Sequence, residues 1–169
     1  PKGTMHYHRD MITICRAYSV PVLAPKTKDR FIGSPPLAFT FGLGGQLLFP
    51  MYARASTILL EQANPDLLLD AIKKHQASIV FTSPTAYRFL LSEVKDCDLS
   101  SVRACVSAGE ILPKPTWFAW KEKTGLEILD GIGSTELLHI FISSRADDIR
   151  PGATGKPVPG YEAKVVDED

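Results

Sequence analysis

A chain of 169 residues with 44% hydrophobic and 22% charged content is long enough to bury a sizeable core and too apolar to be disordered. Its nineteen basic residues balance nineteen acidic ones, without the basic excess or stripe that marks a nucleic-acid binder, so no nucleic-acid partner is expected. No apolar run approaches the ~20 residues that span a bilayer and no signal-peptide pattern is visible, so no membrane partner is expected either.

Residues 4–17 suit a helix, with Thr4 as N-cap, Met5, Tyr7, Met11, Ile12 and Ile14 at apolar positions, and Pro21 and Pro25 closing it. Cys15, in that helix, is one of three cysteines with Cys97 and Cys105; an odd number without a CxxC pair reads as reduced thiols in a cytoplasmic protein. Arg30–Gly33 is a short apolar strand closed by Ser34-Pro35-Pro36, and residues 37–51, rich in phenylalanine and glycine, form a loop running into a helix buried on most sides. Strand and helix then alternate. Residues 56–60 read as a strand and Pro65–His75 as a helix capped by Asn64 with proline in its first position. Residues 78–82 are a strand and 84–94 a helix opened by Ser83; 102–106 are a strand and 113–124 a helix stopped by Gly125; 126–129 are a buried strand. After a glycine- and proline-rich turn at 152–160, residues 161–166 give one more strand.

This alternation predicts an α/β fold: a mostly parallel sheet with helices on both faces. Ligands in such sheets bind beyond the carboxyl ends of the strands. That rule brings together Thr82-Ser83, Ser107-Ala108-Gly109-Glu110 and the heptapeptide Asp130-Gly131-Ile132-Gly133-Ser134-Thr135-Glu136. The glycines of the heptapeptide allow close approach to a ligand and open N–H groups. Thr135 offers a hydroxyl for a phosphate oxygen, and Glu136 a hard carboxylate of the kind Mg²⁺ prefers.

Four segments occur in a telling order: Pro35 to Gly44 (PPLAFTFGLG), Ser107-Ala108-Gly109-Glu110 followed by Leu112-Pro113, the heptapeptide with Leu138-His139-Ile140-Phe141 after it, and Gly152-Ala153-Thr154-Gly155-Lys156-Pro157-Val158-Pro159-Gly160. The whole chain resembles the adenylate-forming superfamily of acyl-CoA synthetases, adenylation domains and luciferases, and within it the benzoate and 2-aminobenzoate CoA ligases. The resemblance implies an acid–thiol ligase. A small aromatic carboxylate attacks the α-phosphate of ATP, with Mg²⁺, to give an acyl-adenylate, and coenzyme A then displaces AMP.

The same resemblance assigns roles. Thr135 is implied as the phosphate-contacting hydroxyl and Glu136 as the Mg²⁺-linked carboxylate, the bland alternative for Glu136 being a solvated loop residue. Ser107, Ala108, Gly109, Glu110, Asp130, Gly131 and Ile132 are implied to hold the nucleotide, with the bare Gly109 letting the flat base lie close. The wider superfamily more often has an aromatic residue where this chain has Ile132. Thr40, Phe41, Ile132 and His139 are implied to edge a small flat acid pocket. Phe41 is otherwise a core phenylalanine, and His139 is either a group meeting the carboxylate or a ring substituent, or a structural histidine.

Pro1-Lys2-Gly3 resembles the last three residues of the family's phosphate loop, with Lys2 implied to help hold the outer phosphates. The family's ribose-binding aspartate, hinge and lysine-bearing small domain have no counterpart here. The expectation is that residues 1–169 are the central part of the large AMP-binding domain and are inactive alone. His6 and His8, two apart on the expected helix, face different ways and share no metal. Trp117 and Trp120 suit a packed helix face, Lys156 a solvated turn, and Gly42-Leu43-Gly44 does not follow a strand as a dinucleotide fingerprint requires. An enzyme of the superfamily acting on a fatty or amino acid, or a non-catalytic nucleotide-binding module, remain the alternatives. The sequence leaves open which aromatic acid is used and whether the protein forms a homodimer.

Overall fold

The computed structural model describes residues 3–62, 64–94 and 97–167. Seven strands form one sheet in the order β2-β1-β3-β4-β5-β6-β7: β1 (Arg30–Gly33), β2 (Ser56–Ile58), β3 (Ile79–Thr82), β4 (Ala104–Ala108), β5 (Ile128–Gly133), β6 (Ile140–Ser143) and β7 (Lys156–Pro157). The first five in that order run parallel; β6 and β7 are antiparallel additions. The chain goes from β1 to its neighbour β2, then crosses back over β1 to β3, so the strand order reverses between β1 and β3. Such a reversal opens a crevice at the carboxyl ends of the two strands.

Each central strand is buried on both sides, as a parallel sheet requires. On one face Val80, Cys105 and Ile128 meet α4 (Pro65–His75), α5 (Pro84–Glu93) and α6 (Lys114–Thr124) through Leu68, Ile72, Tyr87, Leu90, Trp117 and Trp120. Trp117 Nε1 donates to the Ile128 carbonyl at 3.0 Å, which fixes α6 against β5. On the other face Phe31, Ile79, Phe81, Val106 and Leu129 pack against α1 (His8–Ile14), its π-helical continuation Cys15–Leu23, and the run formed by α2 (Thr40–Leu43), π-helical Gly44–Leu48 and α3 (Phe49–Ala53). Helices thus cover both faces.

Four expectations shift. Thr4 caps nothing: α1 starts after Tyr7, whose amide donates to Asp10 Oδ2 at 2.7 Å. Pro21 does not end the helix either, because the ladder has widened to bonds from residue i to i−5, as in Ala24 N to Ser19 O at 3.1 Å, and buried Tyr18 and Leu23 hold it to the core. The strand at 126–129 is displaced to Ile128–Gly133, because β6 folds back and pairs Gly131 with Ser143 and Ile132 with Ile142. Residues 161–166 form no strand: Lys156–Pro157 takes the edge of β6, and Val165 and Val166 are left exposed.

Candidate functional site

A cavity of about 330 Å³ opens where the strand order reverses. Its floor comes from the strand ends: Pro35 after β1, Ser83 after β3, Ala108 and Gly109 at the end of β4, and Gly133 to Thr135 at the end of β5. Phe39, Thr40 and Phe41 at the start of α2, with His139 and Ile140 leading into β6, close the opposite side. A second cavity of about 260 Å³ adjoins it, lined by Gly109, Glu110, Ile111, Asp130, Gly131, Ile132, Gly133 and Thr154. The two share Gly109 and Gly133.

Those shared glycines are there for different reasons. Gly109 has φ +91°, a conformation that side chains resist, and a Cβ there would meet nothing within 4 Å, so open space lies over its backbone. A Cβ on Gly133 would stand 2.8 Å from the His139 carbonyl oxygen, and one on Gly131 2.8 Å from the Ile140 side chain. The glycines inside β5 let β6 approach; they do not break the strand.

His139 is the titratable side chain among those lining the first cavity. It is 1% exposed and lies within a cage of rings, with centroids at 4.6 Å (Phe49), 5.2 Å (Tyr18), 5.8 Å (Phe41) and 6.3 Å (Phe81). Burial drives its pKa down to about 3 against an opposing pull from the Phe41 carbonyl, so the ring is neutral at pH 7. Neither Nδ1 nor Nε2 has a hydrogen-bond partner among the described residues. A buried imidazole without partners costs about 1–3 kcal/mol.

The second cavity is more polar. Burial raises the pKa of Asp130 to about 6 against the opposing pull of the Ser107 hydroxyl and the Gly131 amide, and its Oδ1 has no hydrogen-bond partner among the described residues. Ser107 is paired beside it in the sheet register and fully buried. Glu110 accepts from Thr85 Oγ1 at 2.5 Å and from the Thr85 amide at 3.3 Å, holding the first turn of α5 to the cavity rim.

Several comparisons bear on this geometry. Residues 1–169 match the sequence pattern of the family described as AMP-binding enzyme. The chain belongs to the AMP-binding enzyme family. It is 42% identical over 173 residues to a benzoate–CoA ligase of Thauera aromatica, covering all of this chain and 33% of that protein. It is 37% identical over 170 residues to an anthranilate–CoA ligase of Pseudomonas aeruginosa, covering all of this chain and 32% of that one. The structure of the anthranilate CoA ligase AuaEII in complex with anthranoyl-AMP superposes with a TM-score of 0.96 at 46% identity, over 99% of this chain and 33% of the other. The chain therefore spans about a third of the length of the relatives it matches.

With the AMP-binding family in place, the sequence-predicted residues can be located. Thr40, Phe41, Ala108, Gly109, Thr135 and His139 line the first cavity; Gly109, Glu110, Asp130, Gly131 and Ile132 line the second. Ile132, 45% exposed, faces the second cavity and does not reach the first. Ser107 lies beneath the lining rather than in it. Lys2 lies outside the described residues. Glu136 is exposed at the tip of the β5–β6 turn, its pKa lowered chiefly by its own backbone amide and the Ser134 hydroxyl. Among the described residues no group of three or more His, Cys, Asp or Glu side chains forms a metal cage. One exposed carboxylate suits Mg²⁺ all the same, since that ion takes one or two carboxylates together with substrate phosphates and water. No helix of the described residues is long and apolar enough to cross a membrane.

Sequence reasoning missed Thr154, which reaches the second cavity from a segment read as a rigid turn, and His6, whose Nε2 lies 2.7 Å from the Thr135 carbonyl oxygen. His6 precedes α1 and is not on it. No local signal points to a contact made across 129 positions of sequence.

Proposed function

We propose that this chain is the central part of the AMP-binding domain of an aryl-CoA ligase, which activates a small aromatic carboxylate of the benzoate or 2-aminobenzoate type. The observation that carries the reading is the pair of cavities joined at Gly109 and Gly133: one walled by rings with an unpaired neutral histidine, the other polar and open over a bare backbone. A flat ring fits beside Phe41 and His139, and a nucleotide base lies over Gly109 between Glu110, Asp130 and Ile132. The carboxylate then meets the α-phosphate near Thr135. The kinds of acid in the names of the similar ligases agree with this placement.

The reaction follows from the placement. Attack of the carboxylate on the α-phosphorus releases pyrophosphate and gives the acyl-adenylate. The coenzyme A thiol then adds to the acyl carbon and AMP leaves. The protein's contribution is position and charge neutralisation, with no covalent nucleophile of its own. Thr135 binds a phosphate oxygen, Glu136 holds Mg²⁺ through its carboxylate, and Lys2 serves the outer phosphates. When bound, Mg²⁺ offsets the phosphate charge. Neutral His139 donates or accepts a hydrogen bond at the acid and forms no ion pair with it. The working compartment is cytoplasmic.

Pyrophosphate and thioester formation by the whole protein, given ATP, Mg²⁺, coenzyme A and a panel of acids, tests this. Benzoate and 2-aminobenzoate are expected to outrun fatty and amino acids, and residues 1–169 alone to release no pyrophosphate above background. A strong preference for long chains would overturn the acid pocket, and nucleotide binding without turnover of any acid would favour a non-catalytic module.

A further inference from the structure

We propose that His6 is a positioning residue: its ring clamps the turn that carries Thr135 and Glu136 to the start of α1, and so sets where those two groups meet the nucleotide's phosphates. The clamp itself is read from geometry, and its catalytic consequence rests on the function proposed above.

Thr135 and Glu136 sit in the short connection between β5 and β6. Within itself that connection is held by the Leu138 amide donating to the Thr135 carbonyl at 3.2 Å and the Leu137 amide donating to Ser134 Oγ at 3.3 Å. Among the described residues, the hydrogen bond tying it to chain outside the hairpin comes from His6, whose Nε2 stands 2.7 Å from the Thr135 carbonyl oxygen. A carbonyl oxygen only accepts, so Nε2 is the donor. The other side of the ring is backed by Asp10: its Oδ2 lies 3.7 Å from His6 Nδ1 and accepts the Tyr7 amide at 2.7 Å. The late start of α1 leaves residues 3–7 outside the helix, which lets His6 reach the turn.

The carbonyl that His6 holds belongs to the peptide joining Thr135 to Glu136. A displacement of that peptide carries the Cα atoms of both residues with it, and with them the threonine hydroxyl and the glutamate carboxylate. A displacement of ~1 Å at a reacting centre can cost ~100-fold in rate, so a single tie to this peptide is felt at the transition state more than in ring binding. Aromatic-acid recognition, made by Phe41 and His139 on the opposite wall, is left out of the effect.

The test uses the whole protein with His6→Ala and His6→Gln. The glutamine amide presents an N–H at nearly the reach of Nε2. His6→Ala is expected to lower kcat for pyrophosphate release with ATP, Mg²⁺ and benzoate by ~10-fold or more while KM for benzoate stays within ~2-fold, and His6→Gln to recover most of the loss. Thioester formation from preformed benzoyl-AMP and coenzyme A is expected to change far less. Amide hydrogen exchange at 134–138 is expected to quicken in His6→Ala and return in His6→Gln, with the central strands unchanged. Unaltered exchange, unaltered kcat, or equal impairment in both variants would overturn the clamp. A wild type inactive toward every acid would instead overturn the proposed ligase function, and the exchange measurement would then decide the clamp alone.

Discussion

Gly44 offers a sharp test of how tightly the aromatic cage fixes His139. A Cβ at Gly44 would stand 2.3 Å from His139 Cδ2, 2.7 Å from its Nε2 and 3.0 Å from Phe49 Cζ. Carbon atoms rest at about 3.5–4.0 Å, so the imidazole must retreat by more than about 1 Å. It has nowhere easy to go, with Tyr18, Phe41, Phe49 and Phe81 around it. Overpacking of this kind costs about 1–3 kcal/mol. The backbone pulls the other way: Gly44 has helical angles, φ −66° and ψ −57°, where alanine is favoured by up to about 1 kcal/mol. Gly44→Ala should therefore destabilise the protein by about 1–2 kcal/mol, read as a lower urea midpoint at unchanged slope. In His139→Ala the added methyl falls into vacated space, so the double variant should be more stable than the summed singles by a similar amount. KM for benzoate should rise in Gly44→Ala while KM for ATP holds. A variant more stable than wild type, or no coupling between positions 44 and 139, would refute the picture of a wedged ring.

Two further predictions concern pH. The pKa of buried His139 falls to about 3 in the folded state, from an ordinary 6.5. Below pH 6.5 the unfolded chain therefore binds a proton that the folded one refuses, and stability should drop by about 1.4 kcal/mol per pH unit as pH falls from 6.5 toward 3. Asp130, raised to about 6 by burial, works oppositely between pH 6 and its ordinary 3.8, so the stability difference between wild type and His139→Leu is the measurement that isolates the histidine. At the other end of the sheet, burial would raise Asp29, but the Arg103 guanidinium at 2.6 Å, the Lys26 amide and the Ser78 hydroxyl outweigh it and hold its pKa at about 2. Its contribution is whole above pH 3.8 and is lost as pH falls through about 2. Arg103→Ala, which leaves that buried carboxylate to the Lys26 amide and the Ser78 hydroxyl alone, should cost about 1–3 kcal/mol by urea unfolding at pH 7 and move the acid transition to higher pH.

What could be read from the sequence was whatever a few neighbouring residues decide. Helix Pro65–His75 lies where Asn64 and Pro65 put it, and Asn64 Oδ1 accepts the Leu67 amide at 2.9 Å as a capping residue should. Ser83 does the same for the Ala86 amide at 3.2 Å, and Gly125, at φ +73°, stops α6. The crevice followed from alternation alone, because parallel strands joined by helices leave their loops at one edge. What stayed hidden depends on strand pairing that no local residue pattern announces. Nothing around residues 126–133 announces that β6 returns to pair with them, and without that return the heptapeptide glycines look like strand breakers instead of points of contact. Nothing around residues 161–166 shows that two residues of the preceding turn already occupy the sheet edge. The site sits where these two kinds of information meet. Local chemistry supplies the polar ends of the strands, while the return of β6 against β5 and the contact of His6 with the Thr135 carbonyl, 129 positions away, hold the turn between them. A motif match can therefore name Thr135 and Glu136, but the His6 contact that holds their turn lies outside the motif.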